Sequence, residues 1–249
     1  NTKTTPENRR IIKLAPGLYK IDSSLKIPPY TTLVGSGKDK TIIEQTANSP
    51  IFVTVNGSST VGNYDETSGL SASNQAKYIS ISGMTLRYEN AVSNIYNTAI
   101  NLKSVEDGHF FDLKLKGYWD GDGIQSNSIG INIKSFSGAV RSKRNLFENI
   151  DIEGFAYGVN SSFDIEDNTF RDITFSTLLN GVRLGNNMPV VDYTDAADLA
   201  DKLGDGVAYG PNNTLFENCT FKEVFEQGFI VNKGTANTSK RNKYFDVGN

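Results

Sequence analysis

The chain has 249 residues, 37% hydrophobic and 21% charged, with a net charge of −3. That balance supports a buried core and argues against disorder, and it gives no general attraction to phosphate backbones, so nucleic-acid binding is not expected. The single cysteine, Cys219, cannot form an internal disulfide, and no stretch has the apolar length of a membrane span.

In chain order, the opening reads Leu14-Ala-Pro-Gly-Leu-Tyr19-Lys-Ile21, then Leu25-Lys-Ile27-Pro28-Pro-Tyr30-Thr-Thr-Leu33-Val-Gly35-Ser-Gly37, then Thr41-Ile-Ile43. A polar stretch at 56–77 follows. Next come Ile81-Ser-Gly83-Met84-Thr-Leu86 and, after residues 87–98, the alternation Ala99-Ile-Asn-Leu-Lys. The same two patterns return. Phe110-Phe-Asp112-Leu113-Lys-Leu115 precedes a second insertion at 116–128 and Gly130-Ile-Asn-Ile-Lys, and a third insertion occupies 135–145 with the one basic cluster, Arg141, Lys143 and Arg144. Phe147-Glu-Asn149-Ile150-Asp-Ile152 leads to Gly158-Val-Asn-Ser, and Phe170-Arg-Asp172-Ile173-Thr-Phe175 leads to Gly181-Val-Arg-Leu. The longest insertion, 186–213, contains Thr194 to Gly204, whose cap, apolar spacing and glycine stop predict one short helix. Phe216-Glu-Asn218-Cys219-Thr-Phe221 and Gly228-Phe-Ile-Val complete the series.

The first pattern starts at residues 81, 110, 147, 170 and 216 and the second at 99, 130, 158, 181 and 228, so both are 23 residues apart over the same interval. Two patterns that share a period and stretch only where polar segments intervene predict stacked turns with loops of variable length. The expected fold is all-β, a right-handed parallel β-helix of about seven or eight turns. A degenerate turn at Gly206-Val-Ala-Tyr209 would account for the larger count. Within each turn a strand ends on an inward apolar residue, bends at Gly83, Asp112, Asn149, Asp172 or Asn218, and continues. Those residue types tolerate the left-handed backbone that a bend needs. Cys219 then belongs to the core.

The opening resembles the first turns of pectate-lyase-like β-helix proteins, with their Pro-Gly-x-Tyr, Leu-x-Ile-Pro and Leu-x-Gly-x-Gly, and the resemblance extends to about Val231. The short Phe-x-Asn turns and the wealth of Asn and Ser are similar to bacteriophage tailspike and tail fibre proteins. The family usually begins with an amphipathic helix that plugs the core, but residues 1–9 are polar, and Tyr244 to Val247 starts a further strand near the other end. The expectation is a single β-helical segment, 1–249, of a longer chain.

On the strand of the second pattern, Ile100, Leu102, Ile131, Ile133, Val159, Val182 and Leu184 should point inward, which leaves an outward column of Asn101, Asn132, Asn160 and Arg183, flanked by Lys103 and Lys134. Insertions at both borders would wall this column into a polar groove that binds glycan. Family enzymes usually place carboxylates on such a floor. Here carboxylates occur only in loops, at Asp120 and Asp122 beside Tyr118 and Trp119, and at Asp164, Glu166 and Asp167. Asp120 and Asp122 fit a Gly-rich turn first and a catalytic pair second. Tyr118 and Trp119 could stack on sugar or pack on the solenoid. His109 lacks a Ser or Cys partner at any recognisable spacing, and no calcium-loop signature or other cofactor motif is present.

The resemblance therefore implies a structural, receptor-binding segment of a phage tail appendage, virion-borne and homotrimeric, contacting host surface polysaccharide. The alternatives are a tail-borne depolymerase, hydrolase or lyase, and a secreted bacterial polysaccharide lyase or epimerase.

Overall fold

The computed structural model describes residues 4–55, 75–89, 97–118, 128–135, 140–161, 165–185, 211–231 and 236–248. The predicted helix within 194–204 and the possible turn at 206–209 lie outside them. Among the described residues regular structure is strand only, and every pairing between strands is parallel. A continuous sheet of 17 strands winds around one core. It is continuous because strands such as Ser80–Tyr88, His109–Lys116, Leu146–Glu153 and Thr169–Leu184 run through a bend from one face onto the next. The fold is a parallel β-helix with three faces.

On the first face Leu33, Ile81, Phe110, Phe147, Phe170 and Phe216 are register partners from one turn to the next. The second face carries Ile43, Leu86, Leu115, Ile152, Phe175 and Phe221 in one column and Met84, Leu113, Ile150 and Ile173 in another. The third carries Phe52, Ile100, Ile131, Val159, Val182 and Phe229. All but Phe229 are fully or almost fully buried, as is Cys219. Burial pushes the Cys219 thiol up to about 11, so it is packing and not a nucleophile. Strand Thr169–Leu184 pairs directly with Leu215–Glu217 and Thr220–Val231.

The bends between the first and second faces sit at Gly83, Asp112, Asn149, Asp172 and Asn218, with φ of +67°, +52°, +52°, +54° and +56°. The side chain two residues before each bend points in and the one just after it points in again, so a single left-handed residue turns the corner without losing the inward column. A second left-handed column, between the third and first faces, uses bulkier residues: Tyr30, Tyr78, Asp107, Arg144 and Asp167. Each amide there donates to a carbonyl of the next turn, as from Tyr30 to Lys77 (2.8 Å), Tyr78 to Glu106 (3.1 Å) and Arg144 to Glu166 (3.1 Å). That ladder offsets a conformational cost of about 1–2 kcal/mol per residue.

The solenoid reaches further into the polar stretches than the sequence reading placed it. Ser142–Lys143, inside 135–145, pairs with Ile165–Glu166, and Lys77 and Asn212 also make parallel bridges. A buried amide ladder runs beside them: Asn145 Oδ1 accepts from the Gly108 amide (2.8 Å), and Asn168 Oδ1 accepts from Asn145 Nδ2 (2.9 Å).

Charges pair between turns. Glu106 meets Lys77 (2.8 Å), Lys143 (3.6 Å) and Arg144, Arg144 also holds Asp107 (2.8 Å), and Arg141 reaches Glu166 (3.4 Å). The basic cluster is thereby matched by carboxylates. Burial opposes ionisation of Glu106 and of Glu44, but the cations Lys77 and Arg144, and Arg87 and Lys20, outweigh it and hold both carboxyls below the usual range. A lowered folded-state pKa gives stability that is complete above the unfolded carboxylate pKa, about 4.3, and is lost as pH falls through the folded value. The melting temperature should therefore stay flat from pH 7 to about 5 and then fall. Glu44→Gln should melt lower at pH 7 and show a shallower acid decline, and an unchanged acid decline would remove Glu44 from this role.

Candidate functional site

The third face is built by Leu25–Ile27, Phe52–Thr54, Thr98–Lys103, Ile129–Lys134, Tyr157–Ser161 and the last residues of Thr169–Leu184 and Thr220–Val231. The chain leaves this face after residues 55, 135, 161 and 185 and enters it at 97 and 128, and at each of these points it passes through a segment outside the described residues. Both borders of the face thus adjoin the longest of those segments.

Asn101, Asn132, Asn160 and Arg183 do form one column, in register from turn to turn. They do not form an open floor. Asn132 is 3% and Asn160 1% exposed, against the expectation that the column faces solvent. Stacking also pairs the amides with one another. Turns lie about 4.8 Å apart, so each amide is sandwiched by its neighbours and bonds to them. Asn132 Nδ2 donates to Asn101 Oδ1 (3.0 Å) and Asn160 Nδ2 to Asn132 Oδ1 (3.0 Å). These amides fasten the face together. Lys103 and Lys134 are register partners beside them.

Arg183 ends the column and is partly exposed. Its Nη1 donates to the Tyr157 hydroxyl (3.2 Å), and its Cζ lies 5.6 Å from the centre of the Tyr157 ring. That geometry places a cation over an aromatic face. Tyr157 in turn is the register partner of Asn180, whose Nδ2 donates to Glu226 (2.9 Å). Sequence reasoning missed Tyr157, Asn180 and Glu226. A signal existed, since Thr98, Ile129, Tyr157, Asn180 and Gln227 each stand immediately before the small residue of the second pattern.

Tyr118 is exposed at the end of the second face. Trp119, Asp120, Asp122 and Asp164 lie outside the described residues. Glu166 serves the ion pair with Arg141, and Asp167 Oδ1 accepts from Asn213 Nδ2 (2.7 Å), so both have turn-holding roles. His109 bonds Glu148 (2.8 Å) and stacks on Phe111. Among the described residues no three His, Cys, Asp or Glu are grouped to hold a metal ion, and no helix is long and apolar enough to cross a membrane.

No curated protein matches the chain. Among solved structures it is similar to ORF18 of Geobacillus virus E2, with a TM-score of 0.51 and 16% identity over 98% of this chain and 46% of that one. The chain thus spans less than half of that protein's length, and at this identity the likeness establishes the fold alone. Alignments to the A-modules of the mannuronan C-5 epimerases AlgE4 and AlgE6 of Azotobacter vinelandii cover 95% and 94% of this chain and 87% and 90% of theirs. Their identities are 12% and 9%, and their TM-scores of 0.25 and 0.21 are too low to argue from. The family model described as rhamnogalacturonase A/epimerase, pectate lyase-like, matches residues 2–197. With that span of the sequence matched and the parallel β-helix in place, the chain belongs to the rhamnogalacturonase A/epimerase, pectate lyase-like family.

Proposed function

We propose that the chain is a β-helical segment of a phage tail appendage, a rigid shaft whose third face engages host surface polysaccharide. The observation that carries this reading is the Arg183 and Tyr157 pair on the outward side of that face, whose borders adjoin the longest insertions in the sequence. Family membership supports a carbohydrate ligand, and the viral source of the ORF18 structure supports a virion setting. Homotrimeric assembly of the parent protein belongs to the same proposal. A second reading, a polysaccharide depolymerase or a secreted lyase or epimerase, is favoured by the enzymes for which the family is described. It would place Asp120 and Asp122 as the acid–base pair, in the stretch between Tyr118 and Ser128.

The test is retention of the purified protein on host cells, together with analysis of host polysaccharide for new reducing ends or unsaturated sugars. Arg183→Ala should weaken retention about tenfold, equivalent to about 1.4 kcal/mol, and Asp120→Asn with Asp122→Asn should leave retention intact. Cleavage by the unmodified protein that disappears in the Asp double variant would replace the first reading with the second. Retention unchanged in Arg183→Ala would remove this face from the proposal.

A further inference from the structure

We propose that Tyr157, Asn180, Arg183 and Glu226 form a subsite for a neutral pyranose unit, a reading that rests on the glycan-binding role above and adds the class of sugar. Tyr157 and Asn180 are register partners, so their backbones lie one turn, about 4.8 Å, apart. Arg183 lies three residues along the strand from Asn180 and reaches back across the same ring. The four groups are contiguous on the outward side of one face.

Asn180 is the observation that points to a ligand. It is 4% exposed, its Nδ2 is bonded to Glu226, and its Oδ1 has no hydrogen-bond partner. Glu226 fixes that orientation, because the reversed amide would turn its oxygen toward a carboxylate. Buried amide oxygens are almost always matched, so one held unmatched beside an aromatic ring and a guanidinium calls for a donor from outside the chain. Glu226 and Gln227, on the neighbouring turn, are exposed.

The chemistry selects the incoming group. Asn180 Oδ1 and the Glu226 carboxylate only accept, so what arrives must donate, as sugar hydroxyls do. A uronate carboxylate would meet Glu226 with like charge. Tyr157 offers an apolar ring face to the C–H side of a pyranose, and Arg183 donates to a hydroxyl or ring oxygen at its edge. The expected occupant is a hexose with free vicinal hydroxyls.

The experiment uses an array of immobilised bacterial oligosaccharides grouped as neutral hexose, N-acetylhexosamine and uronic-acid types, probed with the full chain and its variants. Binding should concentrate on the two uncharged groups, and Asn180→Ala and Glu226→Ala should each weaken it at least tenfold. Glu226 is exposed, so its variant should fold and remain informative if Asn180→Ala folds poorly. Neutral-sugar binding that Glu226→Ala leaves intact would overturn the subsite while the glycan-binding role stands. Binding confined to the uronic-acid group would overturn the sugar class. No binding to any group would overturn the subsite and the glycan-binding role together.

Discussion

Phe170→Ala is expected to lower stability by about 3–5 kcal/mol, the range for truncating a buried aromatic side chain. Phe170 is fully buried between Phe147 and Phe216, with ring centres 4.5 Å and 4.3 Å away and planes within 5° and 4° of parallel. Removing it deletes both stacking contacts and leaves a void that its neighbours cannot fill, because each is pinned by a strand hydrogen-bonded to the turns on either side. Phe170→Leu should lose less, since it keeps most of the volume. Denaturant unfolding followed by far-ultraviolet circular dichroism measures both. A near-neutral Phe170→Ala would mean that the column does not hold these turns together.

Gly158→Ala should also destabilise, by about 1–3 kcal/mol, through overpacking. A Cβ at this position would stand 2.6 Å from the Gly181 carbonyl oxygen and 2.6 Å from Phe175 Cδ1. The oxygen belongs to the backbone of the next turn and the ring is fully buried, so neither can retreat without disturbing the stack. Gly130 shows the same crowding, 2.6 Å from the Gly158 oxygen. One turn earlier Ala99 fills the equivalent place and is accommodated there. Ala99→Gly should cost the backbone entropy of glycine, about 0.5–1 kcal/mol, together with the burial of its methyl, about 0.8 kcal/mol. If Gly158→Ala melts with the parent protein, the small residue of the second pattern is not a steric requirement.

These two substitutions probe features that the sequence displayed directly. The Phe column and the row of small residues recur at a fixed offset because each turn places the same position against its neighbours above and below. The left-handed bends were legible for the same reason: Gly, Asp and Asn at residues 83, 112, 149, 172 and 218 announce a backbone state that most side chains avoid. The second left-handed column was not legible, since Tyr30, Tyr78 and Arg144 carry no such preference and are held by hydrogen bonds from another turn.

The candidate site divides in the same way. Alternation along one strand was enough to align Asn101, Asn132, Asn160 and Arg183 on the outward side. Alternation gives direction, however, and says nothing about occupancy. Whether an outward amide is free or spent depends on a partner 28 or 31 residues away, and only the stacked turns showed those amides bonding one another. The pairing of Asn180 with Glu226 spans 46 residues and an insertion, so no local pattern could have joined them. The sequence by itself determined the β-helix, its inward columns and its corners, because these follow from repetition and from backbone preferences that each residue carries alone. The tertiary structure decided which polar groups remain for a ligand, because hydrogen bonds between turns consume some outward side chains and leave others unmatched.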